Sequence, residues 1–297
     1  MASPAAGRKN LNRKETPLSV IIGAFYPGPA PASPRFSPGE ALSPPERPAP
    51  ASRGRPCPGK EDPMSQQLKT KMVKTVPSYT GTLRSHSLSL PHCVSECSGI
   101  RIFGKRIKSL AFTTDVAIVK NINADAIMAV YPFTPQPVIA DAIISVADVP
   151  VFVGVGGGVT SGMRSDRLAI QAEHQGAFGV VLNAPIPNDV VRMIKEDVDI
   201  PVVVTVVAES TDIQARLDAG ADILNVSGAA RTPEIVAHIR RQFPEVPIIA
   251  TGGPTDETIL ATIRAGANAI TYTPPTSAAL FARSMERYRV AEALGED

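Results

Sequence analysis

The 297-residue chain has no tryptophan, three cysteines and few aromatic residues, which make up 5% of its length. Without tryptophan, nothing in the sequence suggests an aromatic platform for stacking sugar rings. The cysteines, Cys57, Cys93 and Cys97, have no second ligand pair at zinc spacing, so we predict neither a metal nor a cofactor. Their odd number, and the lack of any cysteine after residue 97, indicate a reducing compartment.

Reactive bases are scarce as well. After Lys108 the only lysines are Lys120 and Lys195, and both fall in segments with helical periodicity, which argues against an imine-forming lysine on a strand. His174 and His238 also fall in predicted helices, so we expect surface or packing roles for them. Imine chemistry and histidine-based catalysis are therefore not expected.

Long apolar runs are absent, because no stretch reaches the roughly 18 residues that a membrane-spanning helix requires. The first residues also lack the charged and apolar regions of a secretory signal. We therefore predict a cytoplasmic protein without a membrane partner. Serine- and arginine-rich stretches leave an organellar transit peptide open, and Met64 or Met72 could be the start of translation.

Prolines and charges divide the chain into two parts. Fourteen of the 29 prolines lie in residues 1–63, where apolar residues show too little periodicity to build a core. We predict a disordered or weakly structured, basic, Pro-rich leader over residues 1–97 and a single compact domain over residues 98–297. Whether residues 1–63 persist in the mature protein stays open. The leader lacks a dense Lys/Arg run with interleaved aromatic residues, so a nucleic-acid partner is not expected.

The compact part contains two short phrases that alternate. A Val-Pro-Val, Ile-Pro-Val or Val-Pro-Ile triplet opens three β-branched runs, at residues 149–151, 200–202 and 246–248. A Gly-Ala pair begins at residues 176, 220 and 266, so each phrase recurs after about 44–51 residues. One strand plus one helix fits each period, which favours a parallel sheet.

Eight buried strand candidates arise in this way, each followed by a helical pattern. We therefore predict an α/β fold, a closed (β/α)8 TIM barrel, with a short extra strand over residues 100–103 paired with residues 107–110. The rival, an open doubly wound sheet, usually shows a glycine-rich fingerprint after its first strand, where this chain has Thr113, Thr114 and Asp115. The barrel strands are predicted over residues 109–114, 126–131, 150–155, 178–183, 201–206, 222–226, 247–251 and 268–273.

Glycines and hydroxyl residues follow the last two predicted strands. Gly252 and Gly253 end the seventh, and Thr273, Thr276 and Ser277 follow the eighth. Because barrels bind ligands at the carboxyl ends of their strands, these N–H groups and a helix capped by Thr276 or Ser277 would form a phosphate cradle. The alternative is that the glycines only turn the chain.

The run Ile-Ala-Thr-Gly-Gly at residues 249–253 resembles the seventh-strand signature of the phosphate-binding (β/α)8 superfamily. That superfamily includes thiamine-phosphate synthases, sugar-phosphate epimerases and keto-deoxy-phosphogluconate aldolases. The resemblance implies that the two glycines, Thr273 and Thr276 hold a phosphate. Residues 100–293 as a whole are also similar to small bacterial barrel proteins that carry the generic label hydrolase.

Polar residues at other predicted strand ends are candidates for catalysis. Asp115 is the best acid–base candidate, since it directly follows the first strand, where a low-dielectric pocket mouth would raise its pKa. The alternative is that Asp115 caps the helix that follows. Asn183 and Asn225 end otherwise apolar strands and are predicted, together with Tyr131, to orient the substrate.

A glycine-rich loop follows the third predicted strand. Gly157 and Gly158 belong to three consecutive glycines that could bend over a ligand or act as a hinge. Arg164 comes shortly after them and could bind a carboxylate or a second phosphate. The alternative for Arg164 is a place on the helix surface.

These residues favour an enzyme of the isomerase, lyase or hydrolase type, without a Schiff base, acting on a small phosphorylated metabolite. The alternative is a non-catalytic, metabolite-sensing barrel that regulates through RNA or a protein partner. The sparse acid–base inventory and the basic leader support that alternative. A homo-oligomer is compatible with either function.

Overall fold

The computed structural model describes residues 77, 79, 81 and 88–294 of the chain. Most of the leader predicted over residues 1–97 lies outside these residues. Within them, eight parallel strands close into a barrel, and a helix follows each strand along the chain. The (β/α)8 prediction is therefore confirmed, and the open doubly wound sheet is excluded.

Each predicted barrel strand is present. Seven are shorter than predicted by one or two residues, and the one predicted over residues 150–155 keeps its length but is displaced by one residue, to Val151–Gly156. The strands are β1 (Ile100–Ile102), β2 (Lys105–Ile107), β3 (Ser109–Phe112), β4 (Ala126–Ala129), β5 (Val151–Gly156), β6 (Gly179–Leu182), β7 (Val202–Val206), β8 (Ile223–Val226), β9 (Ile248–Thr251) and β10 (Ala269–Tyr272). The helices are α1 (Val116–Asn121), α2 (Pro137–Val146), α3 (Met163–His174), α4 (Asn188–Asp197), α5 (Ile213–Asp218), α6 (Thr232–Gln242), α7 (Asp256–Arg264) and α8 (Ser277–Leu294).

The repeated Gly-Ala phrase ends a helix in the same way each time. Its glycine has a positive φ of 92°, 102° or 112°. At Gly220 the N–H donates to the Leu217 carbonyl (2.9 Å), and the N–H of Ala221 donates to the Arg216 carbonyl (3.1 Å). This is the Schellman arrangement, which satisfies carbonyls that the end of a helix leaves free. The phrase therefore stops each helix and turns the chain toward the next strand.

The residue after the Gly-Ala phrase joins neighbouring strands in two of the three repeats. Asp222 Oδ2 accepts the N–H of Val202 (2.8 Å), and Asn268 Oδ1 accepts the N–H of Ile248 (2.9 Å). In each pair the acceptor directly precedes one strand and the donor belongs to the strand before it. The proline phrase makes a related link, because its proline carbonyl accepts an N–H from the preceding barrel strand at 2.8–3.0 Å. Proline is tolerated there because the first residue of a strand need not donate.

The hairpin of β1 and β2 closes the amino-terminal end of the barrel. Ile100, Ile102 and Ile107 are buried against the residues that fill the barrel interior. The predicted partner segment, 107–110, is displaced, since β2 covers Lys105–Ile107 and Ser109 begins β3. The reason is the two-residue turn, in which Phe103 and Gly104 both have positive φ (43° and 80°) and set Ile102 opposite Lys105.

A 3-10 helix, His92–Glu96, packs on the outside of the barrel. Cys93, Val94 and Cys97 are buried in the core between the barrel and its helices, so packed structure begins before residue 98. Burial raises the pKa of the Cys97 thiol to about 11, which keeps that thiol protonated at neutral pH. No helix in the described part of the chain is long and apolar enough to cross a membrane.

Candidate functional site

A cavity of about 460 Å³ opens at the carboxyl ends of the barrel strands. Residues that lie in register on neighbouring parallel strands point to the same side of the sheet, so their side chains reach the cavity together. Thr205 is in register with Asn225 in this way, and Thr251 with Thr271. The wall has two halves. The polar half, from β6 to β10, comprises Asn183, Thr205, Asn225, Ser227, Thr251, Thr271 and Thr273, and the more apolar half comprises Phe112, Met128, Val130, Tyr131 and Pro132.

Hydrogen bonds run in one direction along the polar half. The amide nitrogen of Asn225 donates to Thr205 Oγ1 (3.2 Å), and the Thr205 hydroxyl donates to Asn183 Oδ1 (3.2 Å). Thr205 has a single proton and gives it to Asn183, so it can only accept from Asn225. The carbonyl oxygen of the Asn225 side chain therefore points away from Thr205.

Two oxygen atoms on this wall have no hydrogen-bond partner among the described residues. They are Asn225 Oδ1 and Thr271 Oγ1, and the two residues are only 7% and 5% exposed. Buried polar atoms are nearly always paired, and leaving one unpaired costs about 1–3 kcal/mol. Both residues line the cavity, but these two oxygen atoms are themselves covered by the protein and add nothing to its accessible surface.

Four of the residues singled out in the sequence lie on the cavity wall: Tyr131, Asn183, Asn225 and Thr273. The oxygen of Tyr131 accepts the backbone N–H of Gln136 (2.7 Å). This bond fixes the ring through its oxygen and leaves the hydroxyl proton available for a second partner. The structure thus brings together the residues that were expected to orient a substrate.

Asp115 stands outside the cavity wall. Its Oδ1 accepts the N–H groups of Ala117 (3.0 Å) and Ile118 (3.4 Å), and its Oδ2 accepts the N–H of Ser277 (2.9 Å). Of the two roles that the sequence left open, the structure shows the helix cap. The pKa of Asp115 lies below its ordinary value, mainly because the hydroxyl and N–H of Ser277 stabilise the carboxylate. The N–H groups of Ile118 and Ala117 make smaller contributions in the same direction. This is opposite to the rise expected for an acid–base residue, because donors surround the carboxylate.

Replacing Asp115 with alanine should lower the free energy of unfolding by about 1 kcal/mol at neutral pH, as loss of an N-cap does. Because folding lowers the pKa of this carboxyl group, its stabilisation is complete above the unfolded pKa of about 3.9. It is lost as the pH falls through the lower, folded pKa. Thermal melts from pH 7 downward should therefore show the difference between wild type and variant shrinking in acid. A loss of stability of the same size at every pH would contradict this role. Asp115→Asn, which keeps the cap, should lose less stability than Asp115→Ala.

The phosphate cradle predicted after β9 and β10 is partly occupied by the protein itself. The N–H of Gly252 donates to the Thr271 carbonyl (3.2 Å), and that of Ser277 donates to Asp115. Thr276 caps α8, since its Oγ1 accepts the N–H of Ala279 (3.2 Å). Gly252 and Gly253 do not line the cavity, and neither do Thr276 and Ser277.

Some of the predicted cradle nevertheless stays open to a ligand. The N–H groups of Gly253 and Thr276 make no hydrogen bond within the part of the chain that the structure describes. Both residues are exposed, and Thr273, also exposed, forms part of the cavity wall. Of these three residues, Thr273 is the one on the cavity wall, and Gly253 and Thr276 follow the ends of β9 and β10 without lining it.

The glycine-rich loop after β5 is bonded within itself and to the loop after β6. The N–H of Gly157 donates to the Thr160 carbonyl (2.8 Å), and that of Gly158 donates to the Pro185 carbonyl (3.1 Å). Neither glycine lines the cavity, but Gly157 packs directly against Asn183, which does. Arg164 is exposed on α3 and is absent from the cavity wall. The loop therefore contacts the site through Asn183, and protein carbonyl groups take up the N–H groups of Gly157 and Gly158.

Four hydroxyl residues of the wall were not given a role by sequence reasoning. A signal was present for two of them, since Thr205 and Thr271 are polar residues inside otherwise apolar strands. Threonine is also a common strand former, so its presence in a strand does not by itself indicate a ligand. The apolar half carried no signal, because Phe112 and Met128 fit the pattern of an ordinary barrel core. The two remaining hydroxyl residues are Ser227 and Thr251.

Comparison with known proteins relates the chain to others through its fold. No protein-family profile and no curated protein sequence matches it. Among solved structures, it is similar to phosphonopyruvate hydrolase in complex with oxalate and Mg²⁺, with 16% identity, 64% of this chain and 83% of that chain covered, and a TM-score of 0.48. It is also similar to 2,3-dimethylmalate lyase, a PEP mutase/isocitrate lyase superfamily member. Here the identity is 16%, 63% of this chain and 80% of that chain are covered, and the TM-score is 0.46. Likeness at this level concerns the fold alone.

Proposed function

We propose that the protein is an enzyme that acts on a small phosphorylated metabolite held in the cavity at the mouth of the barrel. The observation that carries this proposal is the cavity itself, about 460 Å³ in volume and lined by the ends of the strands. Barrel enzymes hold their substrates at this end, and ligand pockets of this size are typical for small molecules.

The phosphate would lie at the edge of the cavity, where β9 and β10 end. Gly253 and Thr276 offer backbone N–H groups there, and Thr273 offers a hydroxyl group beside them. Barrels frequently hold phosphate after their last two strands. The Asp115 carboxylate occupies the N–H of Ser277, which removes one donor and adds a negative charge nearby. We therefore expect the phosphate to contribute modestly, with most of the affinity coming from the cavity.

Proton transfer in this site would depend on Tyr131. Within the described residues, no carboxylate, histidine, lysine, arginine or cysteine lines the cavity, and Tyr131 is the ionisable side chain on its wall. Its hydroxyl can give a proton to the substrate while the Gln136 N–H stays bonded to the oxygen. That hydrogen bond holds the ring in place while the proton is transferred.

Replacing Tyr131 with phenylalanine should lower kcat by about 100-fold, the usual contribution of a general acid or base. Binding should change little, because the ring remains. The experiment incubates the full chain with a pool of phosphorylated metabolites and identifies by mass spectrometry what is retained and what is consumed. Tyr272→Phe is the matched control, since Tyr272 lies on β10 away from the cavity wall. Full turnover by Tyr131→Phe would remove Tyr131 from the mechanism.

A metabolite-sensing barrel is the second candidate function. The observation that favours it is the composition of the cavity wall, where the described residues include no charged side chain. A sensor needs shape and hydrogen bonds but no acid or base. Retention of a metabolite without consumption, in wild type and in Tyr131→Phe alike, would support the sensor over the enzyme.

A further inference from the structure

One amide group on the cavity wall ends a chain of hydrogen bonds. The Thr205 hydroxyl donates to Asn183 Oδ1 (3.2 Å), and Thr205 Oγ1 accepts the amide nitrogen of Asn225 (3.2 Å). An amide side chain carries its acceptor and its donors on two different atoms. Because Thr205 bonds the oxygen of Asn183, the orientation of this amide is fixed, and its nitrogen lies on the side away from Thr205.

The amide nitrogen of Asn183 is accessible and has no partner. Asn183 Nδ2 makes no hydrogen bond within the described residues, and it is not among the unpartnered polar atoms that the protein covers. Asn183 is half-buried and lines the cavity. Its nitrogen carries two protons and cannot accept a hydrogen bond, so a ligand group beside it has to be an acceptor.

Hydroxyl groups on the same wall also have protons to give. Ser227 Oγ accepts the hydroxyl of Thr251 (3.3 Å), and the Tyr131 oxygen accepts the N–H of Gln136 (2.7 Å). Ser227 and Tyr131 therefore keep their own protons for a ligand. Thr273 is exposed on this wall and offers a further hydroxyl group.

Side-chain oxygens that can only accept are few on the wall. Within the described residues, no Asp or Glu side chain lines the cavity. Asn183 Oδ1 is bonded to Thr205, and Asn225 Oδ1 is covered by the protein. A ligand group that can only donate would therefore leave the nitrogen of Asn183 without a partner after displacing water from it, which is unfavourable.

We propose that the cavity selects its ligand by a carbonyl or carboxylate oxygen that accepts a hydrogen bond from Asn183 Nδ2. This inference rests on the proposed function, since it assumes that the cavity binds the ligand. It adds the chemical class of the group bound inside the cavity and assigns its selection to one residue. The carbon skeleton beside that oxygen lies against the apolar surface of Phe112, Met128 and Val130.

Three ligands of nearly the same shape test this selection. Isobutyramide, isobutyrate and isobutyramidinium share an isopropyl group and a planar end, but the amidinium has only N–H donors where the others have oxygen. Their dissociation constants for the full chain are measured by ligand-observed NMR at neutral pH. Isobutyramidinium should bind at least about ten-fold more weakly than isobutyramide and isobutyrate. The tighter of these two identifies a carbonyl or a carboxylate as the preferred acceptor. Equal binding of all three, tightest binding of the amidinium, or binding of none would overturn the proposal.

Asn183→Asp replaces the donor and keeps the hydrogen bond from Thr205. One carboxylate oxygen still accepts the Thr205 hydroxyl, so the Tm should stay close to that of wild type. The other oxygen takes the place of the amide nitrogen. Isobutyrate should therefore bind at least about ten-fold more weakly than to wild type, and isobutyramidinium more tightly.

Asn123→Asp is the matched control. Asn123 Oδ1 also accepts an N–H, that of Leu90 (2.8 Å), and the residue is exposed and lies off the cavity wall. This variant gains the same charge, and all three ligands should bind to it as they do to wild type. Unchanged isobutyrate binding by Asn183→Asp at an unchanged Tm would overturn the proposal. If Asn183→Asp does not fold, the three ligands on wild type decide.

Failure of this inference can be told apart from failure of the proposed function. If phosphorylated metabolites are retained or consumed but isobutyramide shows no preference over isobutyramidinium, the selection by Asn183 fails and the function stands. If that preference is found but the metabolite pool is neither retained nor consumed, the cavity selects an oxygen acceptor and the proposed function fails.

Discussion

Replacing Arg240 with alanine should lower the free energy of unfolding by about 3 kcal/mol or more. The Arg240 guanidinium donates to the carbonyl groups of Gly266 (2.9 Å), Pro244 (2.5 Å) and Val246 (2.9 Å). Its Nη2 also donates to Asn268 Oδ1 (2.8 Å). The side chain therefore links the end of α6, the loop before β9 and the turn before β10. Truncation would leave several partly buried carbonyl groups without a donor, which is why the expected loss is large.

Equilibrium unfolding in urea is the measurement for Arg240. Burial lowers the pKa of its guanidinium, an effect that nearby Glu245 opposes, but the group stays charged at neutral pH. Arg241→Ala is the matched control, since Arg241 is exposed on the same helix and should be within about 0.5 kcal/mol of wild type. Arg240→Lys should recover little, because a single ammonium group cannot reach the same set of acceptors. A loss below 1 kcal/mol for Arg240→Ala would show that water replaces the guanidinium.

Replacing Gly157 with alanine should destabilise the barrel by about 3 kcal/mol and weaken ligand retention by at least about ten-fold. Gly157 has a φ of +115°, which side-chain-bearing residues rarely adopt. An added Cβ would also meet the backbone of Asn183 and lie only 2.7 Å from its Cβ. Relief of this clash would have to move Asn183, which accepts the hydrogen bond from Thr205 on the cavity wall.

Gly158→Ala separates the effect of backbone strain from that of the clash. Gly158 also has a positive φ, +67°, but an added Cβ would meet nothing within 4 Å. Gly158→Ala should therefore lower the free energy of unfolding by about 1 kcal/mol and leave ligand retention unchanged. Urea unfolding and the metabolite-retention assay are run on both variants. If the two alanines weaken retention equally, the contact between Gly157 and Asn183 is not what supports the site.

The repeated phrases explain why the fold could be predicted from one sequence. Each Gly-Ala phrase stops a helix through bonds to residues three to five positions earlier, as Gly220 and Ala221 do with Leu217 and Arg216. Such contacts are local, so the residues that make them stand close together in the sequence. The hairpin was displaced by a few residues because the positive φ of Phe103, a bulky residue, has no signature in the sequence.

The site was predicted only in part, and the polar residues show why. Asn183 and Asn225 were identified because a polar residue at the end of an apolar strand needs a partner, and both line the cavity. Asp115 met the same criterion, yet both of its oxygens are bonded by the N–H groups of two helices. Nothing near Asp115 in the sequence indicates the second helix, because Ser277 lies 162 residues away.

The sequence by itself determined the eight-stranded barrel and the end of it at which the cavity opens. The reason is that strand period, helix stops and chain direction are set by residues close to one another. Only the tertiary structure decided which strand-end groups face the cavity and which are bonded by the protein itself. Thr205 bonds to Asn183 and Asn225 across 22 and 20 residues. Closure of the barrel brings such partners together, and residues distant in the sequence therefore decide which polar groups are bonded by the protein.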